Sequence, residues 1–330
     1  MAAVNRDGQN HNQEQNRYCP RRSGESTSNT SGNHDVNGAA DQLEDVLSTL
    51  PADTPVYQYR GTTEMKRTID CEWQCLQDSL AECRNVHQQS LSHVKSELIV
   101  YSGVSSDIFS REIDPESAPD SPIGKARIDF WVDLELLILT MLTRPHEAPR
   151  ALFGVIIFDK LKHMGLNPRR TLQIAGASRV ATESRRKEPD CSYLPKSLPD
   201  GRSDKWPSLI VEVGFTESAR KLEMDAKWWL QASNGDVGLA ITITVNARDR
   251  SIVLKTWENG PGDTGPQSAL PRATQTVSVL GSIDPENPVV RNGPFLIPFQ
   301  KLLLRDSVDS EGDIALNEED LTNLSVQLWA

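Results

Sequence analysis

Long apolar runs are missing from this sequence. No window of its 330 residues approaches the ~18 continuous apolar residues of a membrane-spanning helix, so no membrane insertion is expected. An apolar leader is missing too. The opening MAAVNRDGQNHNQEQNRYCP has no hydrophobic stretch, which argues against secretion and for an intracellular protein, cytoplasmic or nuclear. Cysteine is scarce: Cys19, Cys71, Cys75, Cys83 and Cys191 make an odd number and are expected to be free thiols. Positive charge is in deficit, with 35 Lys and Arg against 46 Asp and Glu and a net charge of −11. That balance argues against a nonspecific nucleic-acid coat protein and leaves room for a local basic cleft.

The first third of the chain is uneven. Residues 1–40 are rich in Asn, Gln, Ser, Gly and Arg and poor in aliphatics, which predicts a disordered tail. Its piece RYCPRRS (17–23) reads as solvated tail or as a weak nuclear signal. Residues 41–100 read as mainly helical. Ile69, Trp73, Leu76, Leu80, Cys83, His87, Leu91, Val94 and Leu98 recur at steps of three and four, which predicts one long amphipathic helix over 64–99. Such a helix serves self-association, binds a protein partner, or packs on its own domain. Cys71, Cys75, Cys83 and His87 tempt a zinc assignment. On a straight helix the first two lie opposite the last two, so the four cannot converge tetrahedrally. Residues 101–124 are Ser-, Pro- and Asp-rich and read as a linker.

From 125 to 330 the pattern is that of one α/β domain. RIDFWVDLELLILTML (127–142) reads as two strands with a turn near Val132–Asp133. A helix follows from near His146, because Pro149 is best tolerated in a first turn, with Leu152, Val155, Ile156 and Leu161 as its buried face and Gly165 as its end. Strands are expected near 170–180 and 187–195. WPSLIVEVGF (206–215) reads as a strand buried on both faces, and 216–235 as a helix capped by Thr216. VGLAITITV and SIVLKTW suit a hairpin, and a closing helix begins near Asn317.

One residue breaks the apolar strand. Glu212 is a lone carboxylate among Leu209, Ile210, Val211, Val213 and Phe215, and burying it ionised costs several kcal/mol unless it is compensated. Asp190 follows Pro189 on the preceding strand. Two carboxylates at one sheet edge suit a divalent cation, Mg²⁺ or Mn²⁺, whose charge offsets that cost. The alternatives stay open: Asp190 as a turn residue, Glu212 paired with an arginine such as Arg179, and Glu147 complementing a helix N-terminus. Residues 144–187 hold ten Lys or Arg against three acids. Arg185, Arg186 and Lys187 just before Asp190 are the candidates for nucleic-acid phosphate contacts, or form a solvated loop. Of the tandem Trp228–Trp229, one is expected in the core and one at a groove.

The Pro-Asp at 189–190, followed by Glu-Val-Gly at 212–214 on an apolar strand, resembles the PD-(D/E)XK nuclease superfamily of restriction-endonuclease-like fold. The runs RPHEAPRALF, KEPDCSYLP and WPSLIVEVGFTESARKLEMDAKWWL resemble fungal proteins of that fold, and more distantly Uma-type endonucleases of bacteria. The resemblance spans about 127–328. It implies a mixed central sheet flanked by helices and hydrolysis of phosphodiester bonds in nucleic acid, with Asp190, Glu212 and Glu147 as metal ligands. It also wants a lysine two residues beyond Glu212, where Gly214 stands. The lysine must then come from Lys221, or alternatively Lys227, on the next helix. The same departure keeps a second expectation open, an inactive nuclease-fold protein serving as a binding or interaction module.

Overall fold

Strand pairing follows the apolar runs, and the chain forms two mixed sheets rather than one. The computed structural model describes residues 35–85, 94–124, 126–174, 178–215, 218–260, 270–282 and 286–329. The elements are α1 (Asp35–Ser48), β1 (Val56–Gln58), α2 (Thr62–Asn85), β2 (Leu98–Ser102), α3 (Ser106–Ile108) leading into a π-helical turn (Phe109–Ile113), β3 (Arg127–Trp131), β4 (Leu136–Thr140) and α4 (Arg144–His163). Then come α5 (Pro168–Thr171), β5 (Leu172–Ile174), β6 (Val180–Ala181), β7 (Arg185–Lys187), β8 (Cys191–Pro195), β9 (Leu209–Gly214) and α6 (Ala219–Ala232). The last elements are β10 (Leu239–Asn246), β11 (Ser251–Asn259), β12 (Pro271–Leu280), β13 (Val289–Arg291), β14 (Phe295–Ile297), α7 (Phe299–Leu303), β15 (Ile314–Leu316) and α8 (Glu318–Trp329).

One sheet runs β1-β2-β4-β3-β7-β6 and the other β13-β12-β11-β10-β9-β8-β5, with β14-β15 as a separate pair. β1 and β2 are parallel, as are β9 and β10, and the remaining pairs are antiparallel. The mixed α/β architecture with flanking helices is the one expected. The split into two sheets was not expected.

β9 is buried at all six positions. Its period of two sends Leu209, Val211 and Val213 into the main core, while Ile210 joins Ala226, Trp229 and Leu230 of α6. α6 starts on Ser218, whose hydroxyl accepts from the Lys221 N–H. The expected cap, Thr216, lies outside the described residues.

α4 begins at Arg144, with Thr143 accepting from the His146 N–H. It therefore starts two residues earlier than Pro149 suggested, and Pro149 cannot donate to the Pro145 carbonyl one turn back. Its buried row is Pro149, Phe153, Ile157 and Leu161; of the expected face Leu161 belongs to it, Leu152 and Ile156 are half-buried, and Val155 is 58% exposed. The helix docks on β9 and β15 through that i, i+4 row, and Leu152 and Ile156 turn towards α8.

Three expectations for the first third need correction. The helix expected over 64–99 is described over Thr62–Asn85; its expected residues His87 and Leu91 lie outside the described residues, and the last, Leu98, opens β2, where Leu98, Ile99, Val100 and Tyr101 are buried between β1 and β4. The segment read as a linker is packed: Val104, Phe109, Ile113 and Ile123 are core residues, and Phe109 stacks on Phe130 at 4.3 Å. α1 begins inside the expected disordered tail, and its Val46, with Leu50 two residues beyond its end, packs with Leu98, Val100, Trp131 and Ile138. The rest of that tail, with RYCPRRS, lies outside the described residues. Cys75 and Cys191 are free thiols and Cys71 is disulfide-bonded, against the expectation of free thiols throughout.

Candidate functional site

Glu212 faces α6, and its surroundings are ionic. Six elements bring charged side chains to one buried region: Asp129 on β3, His146 on α4, Arg185 and Lys187 on β7, Asp190 just before β8, Glu212 on β9, and Lys221 with Asp225 on α6. Each of these side chains is at most 5% exposed as a residue. The period of two on β7 explains Arg185 and Lys187, which point inwards while Arg186 is half-buried. On α6 the spacing of four puts Lys221 and Asp225 one turn apart on the same flank.

The pairing is dense. Arg185 grips Asp129 with two hydrogen bonds of 2.7 Å and gives a third, of 2.5 Å, to Asp225. Its guanidinium lies 4.0 Å from the Trp131 ring centre and 4.8 Å from that of Trp228. The Lys221 ammonium donates to Asp129 at 3.0 Å and to Asp225 at 2.5 Å. The Lys187 ammonium sits 3.0 Å from Asp225, 3.4 Å from Glu212 and 3.9 Å from Asp129. Glu212 also accepts from the Trp229 indole N–H at 2.5 Å. Glu212 thus has a buried ion-pair partner, and the partner is Lys187; Arg179 pairs instead with Asp114 and Glu188.

Asp190 lies in register opposite Glu212, since Cys191 pairs with Val211 in the antiparallel ladder. Its oxygens are taken up by the Val213 N–H at 2.7 Å, His146 Nε2 at 3.0 Å and Arg127 Nε at 3.3 Å. The other ring nitrogen of His146 lies 3.4 Å from Glu97, to which Thr143 also donates. Glu147 is held at the rim, 31% exposed, by Arg127 at 3.3 Å and Arg150 at 2.5 Å.

These contacts set the charges. Burial alone would raise the Asp129, Asp190 and Asp225 carboxyls. Arg185 and Lys221 at Asp129, His146 and Arg127 at Asp190, and Lys187 and Lys221 at Asp225 more than reverse it, and all three lie below the usual carboxylate range. Burial would likewise discharge Lys187, but Asp225, Glu212 and Asp129 keep it protonated. Glu212 is the exception. Burial pushes its carboxyl up to about 8, Asp190 and Asp225 add to that, and Lys187 and Trp229 oppose it incompletely. Glu212 therefore holds its proton more firmly than an ordinary carboxyl.

The residues present do not fit the divalent cation that the sequence resemblance implied. Four carboxylates (Asp129, Asp190, Glu212, Asp225) face four fixed cations (Arg127, Arg185, Lys187, Lys221). Both oxygens of Asp190 and Oε1 of Glu212 are already committed, and Glu147 reaches the cluster through Arg127. Among the described residues no group of three or more His, Cys, Asp or Glu side chains is arranged to hold a metal ion. The space that remains between Arg127, His146, Lys187, Asp190, Glu212 and Asp225 is about 10 Å³, which corresponds to roughly one water molecule.

The structure thus brings Asp190, Glu212 and Lys221 into one cluster and leaves Lys227 out. Lys227 pairs with Glu223 at 2.7 Å on the outer face of α6, 41% exposed. Arg185 and Lys187, expected to contact nucleic-acid phosphates, are buried and bound to carboxylates, so they present no charge to a polyanion. Arg186 lies over Phe109 and donates to Ser106 and Ser110. Of the tandem tryptophans, Trp229 is the core residue, and half-buried Trp228 covers Arg185. Asp129, Asp225, His146 and Arg127 were not anticipated. Asp129 carried the same signal as Glu212, a carboxylate inside an apolar strand.

No family model matches the sequence, and no curated protein matches it. Among solved structures the chain is similar to a "putative nuclease belonging to DUF820" from Anabaena variabilis, at 13% identity and a TM-score of 0.33, covering 60% of this chain and 90% of that one. A likeness of that degree is a distant resemblance and assigns no activity or substrate.

Proposed function

We propose that this chain is a non-catalytic protein of nuclease-like architecture, a binding or interaction module rather than a Mg²⁺-dependent phosphodiesterase. The observation that carries the reading is the Lys187 ammonium seated between Glu212, Asp225 and Asp129. The carboxylates are neutralised by the protein's own side chains, and the remaining space is far too small for a phosphodiester. The partner is expected to be a protein rather than a polyanion, since two of the three basic residues beside the site, Arg185 and Lys187, are paired internally. α2 keeps Trp73 38% exposed, the type of side chain enriched at protein interfaces.

A second reading, the Mg²⁺- or Mn²⁺-dependent nuclease, draws on one observation. Asp190, Glu212 and Lys187 line a single cavity, so β7 supplies the amine that Gly214 cannot. The two readings separate in a cleavage assay on single- and double-stranded DNA and RNA with Mg²⁺ or Mn²⁺. The non-catalytic reading expects wild type to match Asp190→Ala and Glu212→Ala at background. Metal-dependent cleavage by wild type that both substitutions abolish would establish the nuclease.

A further inference from the structure

The strand period that turns Arg185 and Lys187 inwards leaves Arg186 facing the opposite side of the sheet. Its backbone is held from both sides, opposite Phe130 on β3 and Ala181 on β6. Its guanidinium lies 5.3 Å from the Phe109 ring centre and 6.0 Å from that of Phe130. Nη1 donates to the Ser110 hydroxyl and Nη2 to the Ser106 hydroxyl, each at 3.2 Å, and all three side chains are half-buried. The charges around this group are matched. Arg179, over the same Phe109 ring, has Asp114 and Glu188, and Arg111 has Asp107. Glu112 accepts from the Tyr59 hydroxyl. Arg186 itself has no carboxylate at ion-pair distance among the described residues. Its two serines are incomplete as well. A hydroxyl that accepts from a guanidinium still has its own proton to donate. Ser117 and Ser121 place theirs on the Ser110 and Ile113 carbonyls, whereas Ser106 and Ser110 have no acceptor among the described residues.

We infer that Arg186, Ser106 and Ser110 form a recognition site for a phosphate monoester carried by a protein partner. This rests on the reading of the chain as a binding module and names the group on the partner. One uncompensated cation and two hydroxyl donors without acceptors stand together, and what complements them is an oxyanion. A phosphate monoester brings three free oxygens, one for each of the three side chains, and close to two negative charges. A carboxylate brings two oxygens and one charge. The guanidinium fork suits phosphate geometry, and an arginine facing a phosphorylated residue is a recurring means of protein recognition. Little ordering remains to be done on binding, because the interior strand, two aromatic rings and two hydroxyls already fix the guanidinium. The site takes one phosphate rather than a chain of them. Arg185 and Lys187 are turned away, and exposed Asp107, next to Ser106, repels further negative charge.

The test is nuclear magnetic resonance of the full chain labelled with ¹⁵N, reading the Arg186 Nε–H signal, which Arg186→Lys identifies by its loss. The probe is a glycine peptide with capped ends that carries one phosphoserine. Wild type is expected to show a saturable shift of that signal. In Ser106→Ala/Ser110→Ala the affinity is expected to fall about tenfold or more, since each hydroxyl lost is a hydrogen bond to a charged group. If the double variant does not fold, either single substitution gives the same comparison in smaller measure. The same peptide with serine or glutamate in place of phosphoserine is expected to leave the signal unmoved. No saturable shift in wild type, or a shift as strong in the serine variants, overturns the site and leaves the binding-module reading standing. Equal binding of the glutamate peptide overturns the assignment to phosphate. A single-stranded oligonucleotide that shifts the signal at lower concentration than the phosphoserine peptide overturns both the site's ligand and the expectation of a protein partner.

Discussion

Glu212→Gln isolates the charge at the centre of the cluster. The substitution keeps the shape, and the amide oxygen can still accept from the Trp229 indole. In the folded protein the Glu212 carboxyl titrates at about 8 against an ordinary value of 4.5. Because the folded value is the higher, the folded state holds a proton that the unfolded chain releases between about pH 4.5 and 8. Stability from this group is complete below the lower value and is lost as pH rises through the upper one. At ~1.4 kcal/mol per pH unit, ionising Glu212 costs the folded state on the order of 5 kcal/mol. Urea unfolding of wild type and Glu212→Gln from pH 5 to 9 reads this directly. His146 and the three aspartates titrate in both proteins and largely drop out of the difference. Wild type is expected to lose several kcal/mol relative to the variant across that range, with most of the loss complete near pH 8. Parallel curves would show Glu212 ionised throughout and bound to Lys187 as an ordinary ion pair, which refutes the protonated-carboxyl assignment.

The two lysines proposed for the motif should behave very differently. Lys221→Ala removes a buried cation from Asp129 and Asp225, which keep Arg185 and Lys187, and is expected to cost about 1.5–3 kcal/mol for the lost charged hydrogen bonds. Lys227→Ala breaks a half-exposed helix pair and should cost less than about 0.5 kcal/mol, with both read by thermal denaturation; equal losses would contradict the placement. Asp190→Ala leaves His146, Arg127 and the Val213 N–H without their acceptor and is expected to cost about 3–5 kcal/mol by urea unfolding. On the acid side the depressed aspartates work in the opposite sense to Glu212. Their stabilisation is present above the ordinary carboxylate range and is lost as pH falls through their folded values, so an acid-unfolding limb below about pH 4 is expected in circular dichroism and should be blunted in Asp190→Ala.

Much of the scaffold was legible. β3, β4, β9 and the β10–β11 hairpin follow from apolar runs and turn residues, and Glu212 announced itself as a charge in the wrong surroundings. Residue 98 misled because it fell on the helical step by coincidence, while LIVY, with its β-branched pair and an aromatic, carried the strand signal. Arg185 and Lys187 were read as a phosphate patch because three basic residues in a row look solvated. Alternation along a strand was the competing pattern, and it placed two of the three inwards. Asp129, a carboxylate inside an apolar strand, was legible and overlooked, whereas Asp225 and His146 were out of reach by local patterning. Their meaning depends on which elements pack together, and an isolated carboxylate or histidine carries no label for its partner.

β2 lies between β1 and β4, and Glu97 directly before it reaches His146 in the charged cluster. A cut at residue 125, where composition suggested a domain would begin, therefore does two kinds of damage at once. It turns β4 from an interior strand into a bare apolar edge, a template for pairing with other copies. It also withdraws the carboxylate that neutralises one side of a buried imidazole. Expression boundaries for this protein belong upstream of α1, because the N-terminal third covers that edge and balances part of the buried charge.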